Sequence, residues 1–127
     1  MVELTDYYET LNYGSIVAVR FLTPAVASPT QTSELRSMLL ADVDRLRPAV
    51  LIFDFRHVRQ ISSDVVFLML QIRRRLAAGP CELRLAAVRP AVREVFQCLH
   101  LDNGLLPIFE SFEDALQAPT VQLRAAG

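Results

Sequence analysis

Residues 49–80 read AVLIFDFRHVRQISSDVVFLMLQIRRRLAAGP, and this stretch decides the fold class. The run Ala49 to Phe55 is short and almost entirely apolar, which is typical of a central strand covered on at least one face. Ser62-Ser63-Asp64 then opens a helix that continues to about Ala78, where Gly79-Pro80 ends it. A buried strand followed by a long helix is one step of the alternation from which parallel sheets are built.

The segment before this stretch predicts two further strands and a helix. Tyr7 to Leu11 and Ile16 to Leu22 are strands joined by a tight turn at Asn12-Tyr13-Gly14, and the second strand alternates in polarity with a period of two. Ser28-Pro29-Thr30-Gln31 has the form of a helix start, with serine at the cap, proline at the first helical position and glutamine reaching back. This helix stops at Pro48.

The segment after it continues the alternation. Leu83 to Ala87 predicts a strand, Pro90 begins a third helix that runs to about Leu99, and Leu106 to Phe109 is a last short strand. Ser111-Phe112-Glu113-Asp114 then caps a final helix. The order β-β-α-β-α-β-α-β-α predicts a single α/β domain with a mostly parallel sheet, an antiparallel hairpin at its N-terminal edge and about four helices.

The predicted domain covers residues 1–118, and the tail 119–127 is expected to be weakly ordered. Hydrophobic residues make up 52% of the 127, which is enough for a real core. No apolar run approaches the roughly 20 residues that span a bilayer. Cys81 and Cys98 stand in no ligand-spaced pair, as expected of free thiols in a reducing compartment. We therefore expect a cytoplasmic protein that is not inserted in a membrane.

The charge composition excludes several functions. The chain has no lysine: all thirteen basic residues are arginine, against fourteen acidic residues. A phosphate-loop lysine and a Schiff base to a carbonyl substrate are thereby excluded. The formal net charge of −1 also argues against a nucleic-acid partner, because such proteins normally carry a basic surface.

Catalytic motifs are scarce. His57 and His100 are far apart in the chain, and neither stands beside a motif nucleophile. The glycines are isolated, so they form no phosphate-binding loop, and the carboxylates define no acid–base pair by their spacing. The sequence therefore predicts a protein that is not an enzyme and that uses no cofactor and no metal.

The serines at the start of the second helix are the candidate functional residues. One interpretation is simple capping, in which Ser62, Ser63 and Asp64 satisfy the free N–H groups of the first turn. The other is that one serine accepts a phosphoryl group, which would meet the same donors and add nearly two negative charges. The residues alone leave both interpretations open.

The second helix also offers a docking surface. Its core stripe recurs at helical spacing and comprises Val65, Leu68, Met69, Ile72 and Leu76. Val66, Phe67 and Leu70 fall on flanking or opposite faces, and Arg73-Arg74-Arg75 follows them. A helix that is apolar nearly all round is either enclosed within the protein or presents a docking surface. In the second case we expect a partner-binding surface formed by Asp64, Val66, Phe67, Leu70 and Arg73, and the same apolar face suits a homodimer.

The order and spacing of several segments resemble the STAS domain, the module of bacterial anti-sigma factor antagonists and of sulfate transporter tails. The resemblance covers about Ile16 to Leu116. The segments that carry it are Leu51–Phe55, Val58–Ser63, Gly79–Leu85, Val88–Phe96, Leu99–Asp102 and Pro107–Phe109.

The resemblance implies that an anti-sigma factor kinase phosphorylates Ser63, with Ser62 as the alternative, and that a serine phosphatase reverses this. The unphosphorylated form would sequester the anti-sigma factor. Asp54, Arg56 and Arg59 would surround the phosphorylated serine. The family often has Asp-Ser-Ser-Gly, whereas this chain has Ser62-Ser63-Asp64-Val65, so a negative charge already lies beside Ser63.

Two other functions remain open. The chain resembles accessory or scaffold subunits of transporter ATPases and of stress-signalling complexes, which act without a phosphorylation cycle, and the position of Asp64 suits this alternative. An enzyme with Ser63 as nucleophile is the third, but no base accompanies this serine in the sequence.

Overall fold

The structure is a computed structural model that describes residues 2–4, 7–26, 28–99 and 106–119. Strands and helices alternate through the described part of the chain. The strands are β1 (Val2–Leu4), β2 (Tyr8–Tyr13), β3 (Ile16–Phe21), β4 (Ala25–Val26), β5 (Val50–Asp54), β6 (Gln60–Ile61), β7 (Glu82–Ala86) and β8 (Ile108–Phe109). The helices are α1 (Pro29–Leu46), α2 (Ser63–Leu76), α3 (Pro90–Cys98) and α4 (Phe112–Gln117).

The main sheet has six strands in the order β1-β2-β3-β5-β7-β8. The pairs β1–β2 and β2–β3 are antiparallel, and the three other pairs are parallel. The predicted α/β class, the mostly parallel sheet and the N-terminal hairpin are therefore confirmed. A three-residue strand that the sequence did not predict, β1, pairs antiparallel with β2 and extends this N-terminal edge.

The hairpin turn lies later in the chain than the sequence predicts. Asn12 and Tyr13 belong to β2, and Tyr13 pairs with Ile16, so the loop consists of Gly14 and Ser15 alone. Gly14 has φ +69°, a left-handed conformation that glycine adopts without the steric penalty of a side chain. The two-residue loop fixes the register of the hairpin.

The sheet separates two apolar clusters of unequal size. Leu51 and Phe53 of β5 face the large cluster, which is completed by side chains of α1, α2 and α3. Val50 and Ile52, which alternate with them, face a smaller cluster with Phe112 and Ala115 of α4. Three helices therefore cover one face of the sheet, and the short helix α4 covers part of the other, which we call the α4 face.

Two of the predicted helix starts have the expected caps. The Ser28 side chain accepts a hydrogen bond from the Gln31 N–H at 3.1 Å, and the Gln31 side chain accepts one from the Ser28 N–H at 3.3 Å. The Ser111 hydroxyl accepts from the Asp114 N–H at 3.0 Å. Such caps satisfy N–H groups that have no partner within the helix.

Parts of the sequence-based predictions lie outside the described residues. These are most of the tail, 120–127, and the segment 100–105, which includes the second histidine. No helix of the described ranges is long and apolar enough to span a bilayer.

Candidate functional site

The two serines stand at the start of α2 in different environments. Ser62 is the N-cap, with extended backbone, and its carbonyl accepts a hydrogen bond from the Val65 N–H at 3.1 Å. Its hydroxyl oxygen is buried, caps no N–H group and has no hydrogen-bond partner among the described residues. Ser63 is the first residue of the helix and is exposed. Capping by the Ser62 side chain, which was part of one of the two interpretations of this segment, is therefore wrong.

A small two-stranded sheet holds the chain immediately before the serines. β4 and β6 pair in parallel, with Ala25 opposite Gln60 and Val26 opposite Ile61. The Arg59 and Gln60 N–H groups both donate to the Pro24 carbonyl, at 2.7 and 3.1 Å. This pairing fixes the backbone that leads into α2, so the position of Ser63 is set by the fold.

The exposed surface of α2 begins with Ser63. Phe67, Leu70 and Arg74 follow at intervals of four, three and four residues, which places all four on one side of the helix. We call this surface the Ser63 face. Phe67 is 51% exposed, the largest value among the exposed large apolar side chains of the described residues. Leu70 is half-buried and Arg74 is exposed.

The buried side of α2 is wider than the sequence predicts. The five residues of the predicted stripe are buried, which confirms it: Val65, Leu68, Met69, Ile72 and Leu76. Val66 is also buried and has no exposed surface, so its assignment to a docking surface is wrong. The reason is that α2 contacts both α1 and α3, and a helix with neighbours on two sides also buries its flanking residues. Asp64 is exposed beside the Ser63 face, as expected.

Asp54 does not belong to the surroundings of Ser63. Its side chain is fully buried and lies on the α4 face, because it alternates with Phe53, which faces α2. The carboxylate accepts hydrogen bonds from Nε of Arg20 and Nε of Arg56, both at 2.9 Å, and from the Arg56 N–H at 3.0 Å. Both guanidinium groups also lie over the Phe112 ring. This cluster is structural: it holds α4 on the sheet.

Arg20 is the member of this cluster that sequence reasoning missed. It lies opposite Asp54 in the β3–β5 register, although the two residues are 34 positions apart in the chain. Its only signal in the sequence is a charge on an otherwise apolar strand. The Arg56 side chain, which the resemblance assigned to the phosphate, is already paired with Asp54.

The remaining predicted arginines are exposed. Arg59 precedes β6, and the described residues offer its side chain no ion-pair partner. Arg73 lies ten residues after Ser63 in α2, which corresponds to about 15 Å along the helix axis. Arg73 therefore cannot reach a phosphate on Ser63 within one chain. Arg74, which is not part of the predicted docking surface, lies on the Ser63 face instead.

The described residues hold no group of three or more histidine, cysteine or acidic side chains placed to bind a metal ion. His57 is exposed, and Cys81 and Cys98 are free thiols. The chemistry available at the start of α2 is thus a free hydroxyl, an adjacent carboxylate and an apolar ring open to solvent.

Comparisons with known proteins agree with this geometry. The fold is similar to unphosphorylated SpoIIAA, an anti-sigma factor antagonist, with 22% identity, coverage of 86% of this chain and 92% of that one, and a TM-score of 0.72. The phosphorylated form of SpoIIAA from Bacillus matches with 21% identity, 86% and 96% coverage, and a TM-score of 0.65.

Two other solved structures are also similar in fold. An anti-sigma-factor antagonist domain protein from Planctomyces limnophilus is 20% identical over 86% of this chain and 93% of its own, with a TM-score of 0.75. A sulfate transporter family protein from Wolinella succinogenes is 15% identical over 80% and 82%, with a TM-score of 0.67. A search of curated protein sequences finds no significant match. The family model of the STAS domain matches residues 24–115, and the chain therefore belongs to the STAS domain family.

Proposed function

We propose that this protein is a cytoplasmic, non-enzymatic regulatory module, an anti-sigma factor antagonist that sequesters a kinase-type anti-sigma factor. The observation that carries the proposal is the Ser63 face. It joins an exposed hydroxyl at a helix start to Phe67, an aromatic ring exposed one turn further on. Exposed aromatic residues next to polar groups are common at the centre of protein interfaces.

Phosphorylation of Ser63 would control this surface through charge. A phosphoryl group carries about −1.5 to −2 charges at neutral pH, and here it would stand beside Asp64. The first-turn N–H groups of α2 can donate hydrogen bonds to its oxygens without unfolding of the helix, since helix N-termini favour anions. A partner that covers Phe67 would then have to desolvate that charge. The phosphorylated form is accordingly expected to release the partner, and a serine phosphatase would restore binding.

The environments of the two serines favour Ser63 as the acceptor. A kinase must reach the hydroxyl oxygen, and the Ser62 hydroxyl is buried whereas Ser63 is exposed. Phosphorylating Ser62 would require the chain between β6 and α2 to open.

Binding is tested with the tagged chain as bait and identification of the bound protein by mass spectrometry. We expect an anti-sigma factor with kinase activity. With that partner purified, Phe67→Ala should weaken binding about tenfold or more, because it removes a central aromatic contact. Leu22→Ala is the matched control, since Leu22 is also a large exposed apolar residue, at 37%, but lies outside α2. Equal effects of the two substitutions would contradict the proposed surface.

Phosphorylation is tested with the same kinase and ATP. One phosphoryl group should be added to the wild type and to Ser62→Ala, and none to Ser63→Ala. Ser63→Glu should weaken binding, whereas Ser63→Ala should retain it. Binding that is unaffected by Ser63→Glu, or a phosphoryl group found on Ser62, would contradict the proposed switch.

A second candidate is an accessory or scaffold subunit of a transporter ATPase or a stress-signalling complex, without a phosphorylation cycle. It is supported by Asp64, whose exposed carboxylate places a permanent negative charge beside the Ser63 face. In that case the captured protein should be a transporter component or scaffold, and no phosphorylation of Ser63 should occur.

A further inference from the structure

A cavity of about 580 Å³ opens at the end of the domain opposite Ser63. It lies where α1 and α2 end and where β3 and β5 begin, and it is bordered by the hairpin loop at Gly14 and by the turn at Gly79. Pockets that bind small molecules usually measure about 300–1,000 Å³. Its size therefore suits a small ligand.

The floor of the cavity is apolar. It is formed by Val17, Val43, Leu46 and Leu76, of which three are buried and Leu46 is half-buried. These side chains belong to the large core cluster or pack against it, where α1 and α2 end. Such a floor favours the alkyl part of a ligand.

The rim carries a net positive charge. Asp44 contributes one carboxylate, and Arg47 and Arg75 contribute two guanidinium groups. Arg75 donates through one terminal nitrogen to Asp44 at 2.7 Å, and Arg47 donates through Nε to the Asp44 carbonyl at 3.3 Å. A guanidinium has five N–H donors, so both groups keep donors for a further acceptor. The carbonyls of the last turn of α2 are already engaged by the N–H groups of 77–79.

We propose that this cavity binds a small monocarboxylate with an apolar chain, such as a medium-chain fatty acid. The alkyl chain lies on the apolar floor, and the carboxylate accepts hydrogen bonds from Arg47 and Arg75. The planar fork of arginine matches a carboxylate in two parallel hydrogen bonds. This binding is independent of the proposed function at Ser63, because the two places lie at opposite ends of α2.

The two cysteines provide the test within one chain. Cys81 lines the cavity and is half-buried, whereas Cys98 is exposed on α3 and does not line it. Burial and the nearby Glu82 raise the pKa of the Cys81 thiol to about 11, so labelling with iodoacetamide is best followed at about pH 9. Octanoate at ten times its dissociation constant should slow labelling of Cys81 about tenfold and leave Cys98 unchanged.

The head group is tested with octanol and with charge-matched variants. Octanol should protect Cys81 much less than octanoate does. The double variant Arg47→Gln, Arg75→Gln should lose the protection by octanoate, whereas Arg36→Gln, Arg74→Gln, which removes the same charge outside the cavity, should keep it. The proposal would be overturned by any of three results. Octanoate could slow the labelling of Cys81 and Cys98 equally, octanol could protect Cys81 as well as octanoate does, or octanoate could still protect Cys81 in the variant that lacks Arg47 and Arg75.

Gly79 allows a variant that fills the opening. A Cβ atom added at this glycine meets no atom within 4 Å, so a side chain begins there in open space. Gly79→Phe should therefore fold with the wild-type Tm and lose the rise in Tm that octanoate produces in the wild type. A rise in Tm that is equal in the two proteins would place octanoate elsewhere and overturn the proposal.

Discussion

Arg84 of β7 donates a hydrogen bond from a terminal guanidinium nitrogen to the Ala115 carbonyl at 2.6 Å, which ties the buried sheet to α4. The same guanidinium donates to the Pro119 carbonyl at 3.0 Å and to the Glu82 carboxylate at 2.8 Å. Arg84 is only 1% exposed, so all its polar groups depend on these partners. A buried arginine thus closes the carbonyl end of α4.

Replacing Arg84 with methionine should lower the free energy of unfolding by about 3 kcal/mol, because it removes the donor of the Ala115 and Pro119 carbonyls and the ion pair with Glu82. Arg84→Lys should restore only part of this, since a single ammonium cannot reach three acceptors in a planar arrangement. Urea unfolding measures both. Arg74→Met, at an exposed position, is the control. If Arg74→Met lowered the free energy of unfolding as much as Arg84→Met does, the structural role of Arg84 would be refuted.

Asp54→Asn should destabilise the domain by about 2–4 kcal/mol, because two guanidinium groups then share a neutral acceptor in a buried place. In a double-mutant cycle with Arg20→Gln, the two substitutions should be coupled by about 1 kcal/mol or more, since the groups are in direct contact. If the two substitutions lowered the free energy of unfolding additively, Arg20 and Asp54 would not interact in solution.

The serines at the N-cap positions of α1, α2 and α4 should respond differently to replacement by alanine. Ser28→Ala and Ser111→Ala should each lower the free energy of unfolding by about 1 kcal/mol, because each removes the hydrogen-bond acceptor of a helix N–H group. Ser62→Ala should change the free energy of unfolding by less than about 0.5 kcal/mol, or raise it, since it removes a buried hydroxyl that has no described partner. Denaturant midpoints of the three variants decide the matter. If Ser62→Ala lowered the free energy of unfolding as much as Ser28→Ala does, the Ser62 hydroxyl would have a hydrogen-bond partner.

The Cys81 thiol should make stability fall at high pH. The pKa of Cys81 is raised from 9.0 to about 11 in the folded protein by burial and by Glu82. Between these values the unfolded chain has lost the thiol proton and the folded chain has kept it, so raising the pH favours unfolding. The stability of the wild type should drop more steeply from pH 9 to pH 11 than that of Cys81→Ala. Parallel pH profiles of the two proteins would contradict the burial of this thiol.

The order of elements was predictable because it depends on local patterns. Capping residues, proline positions and apolar periodicity lie within a few residues of each other, and they located the helices to within about two residues. The strands β4 and β6 were not predictable, because two-residue strands carry no periodicity and form only where Ala25 meets Gln60 in space.

The site was predictable in part, for the same reason. Ser63 and Phe67 are one turn apart in one helix, so the sequence alone placed them together. Val66 was assigned to the wrong side, because its burial depends on α1 and α3, which the periodicity of α2 does not encode. The role of Asp54 depends on Arg20, which is distant in the chain and adjacent only through the register of β3 and β5.

The strand order of the main sheet has a consequence for biosynthesis. Each strand of the series β1-β2-β3-β5-β7-β8 pairs with the one that precedes it in that series along the chain. A chain that leaves the ribosome from its N-terminus can therefore extend the sheet one strand at a time, without waiting for a partner still to be translated. Helix α4 follows these strands along the chain, and it and the residue Pro119 supply the two carbonyls that Arg84 binds. The guanidinium of Arg84 therefore stays in water until this segment has been translated.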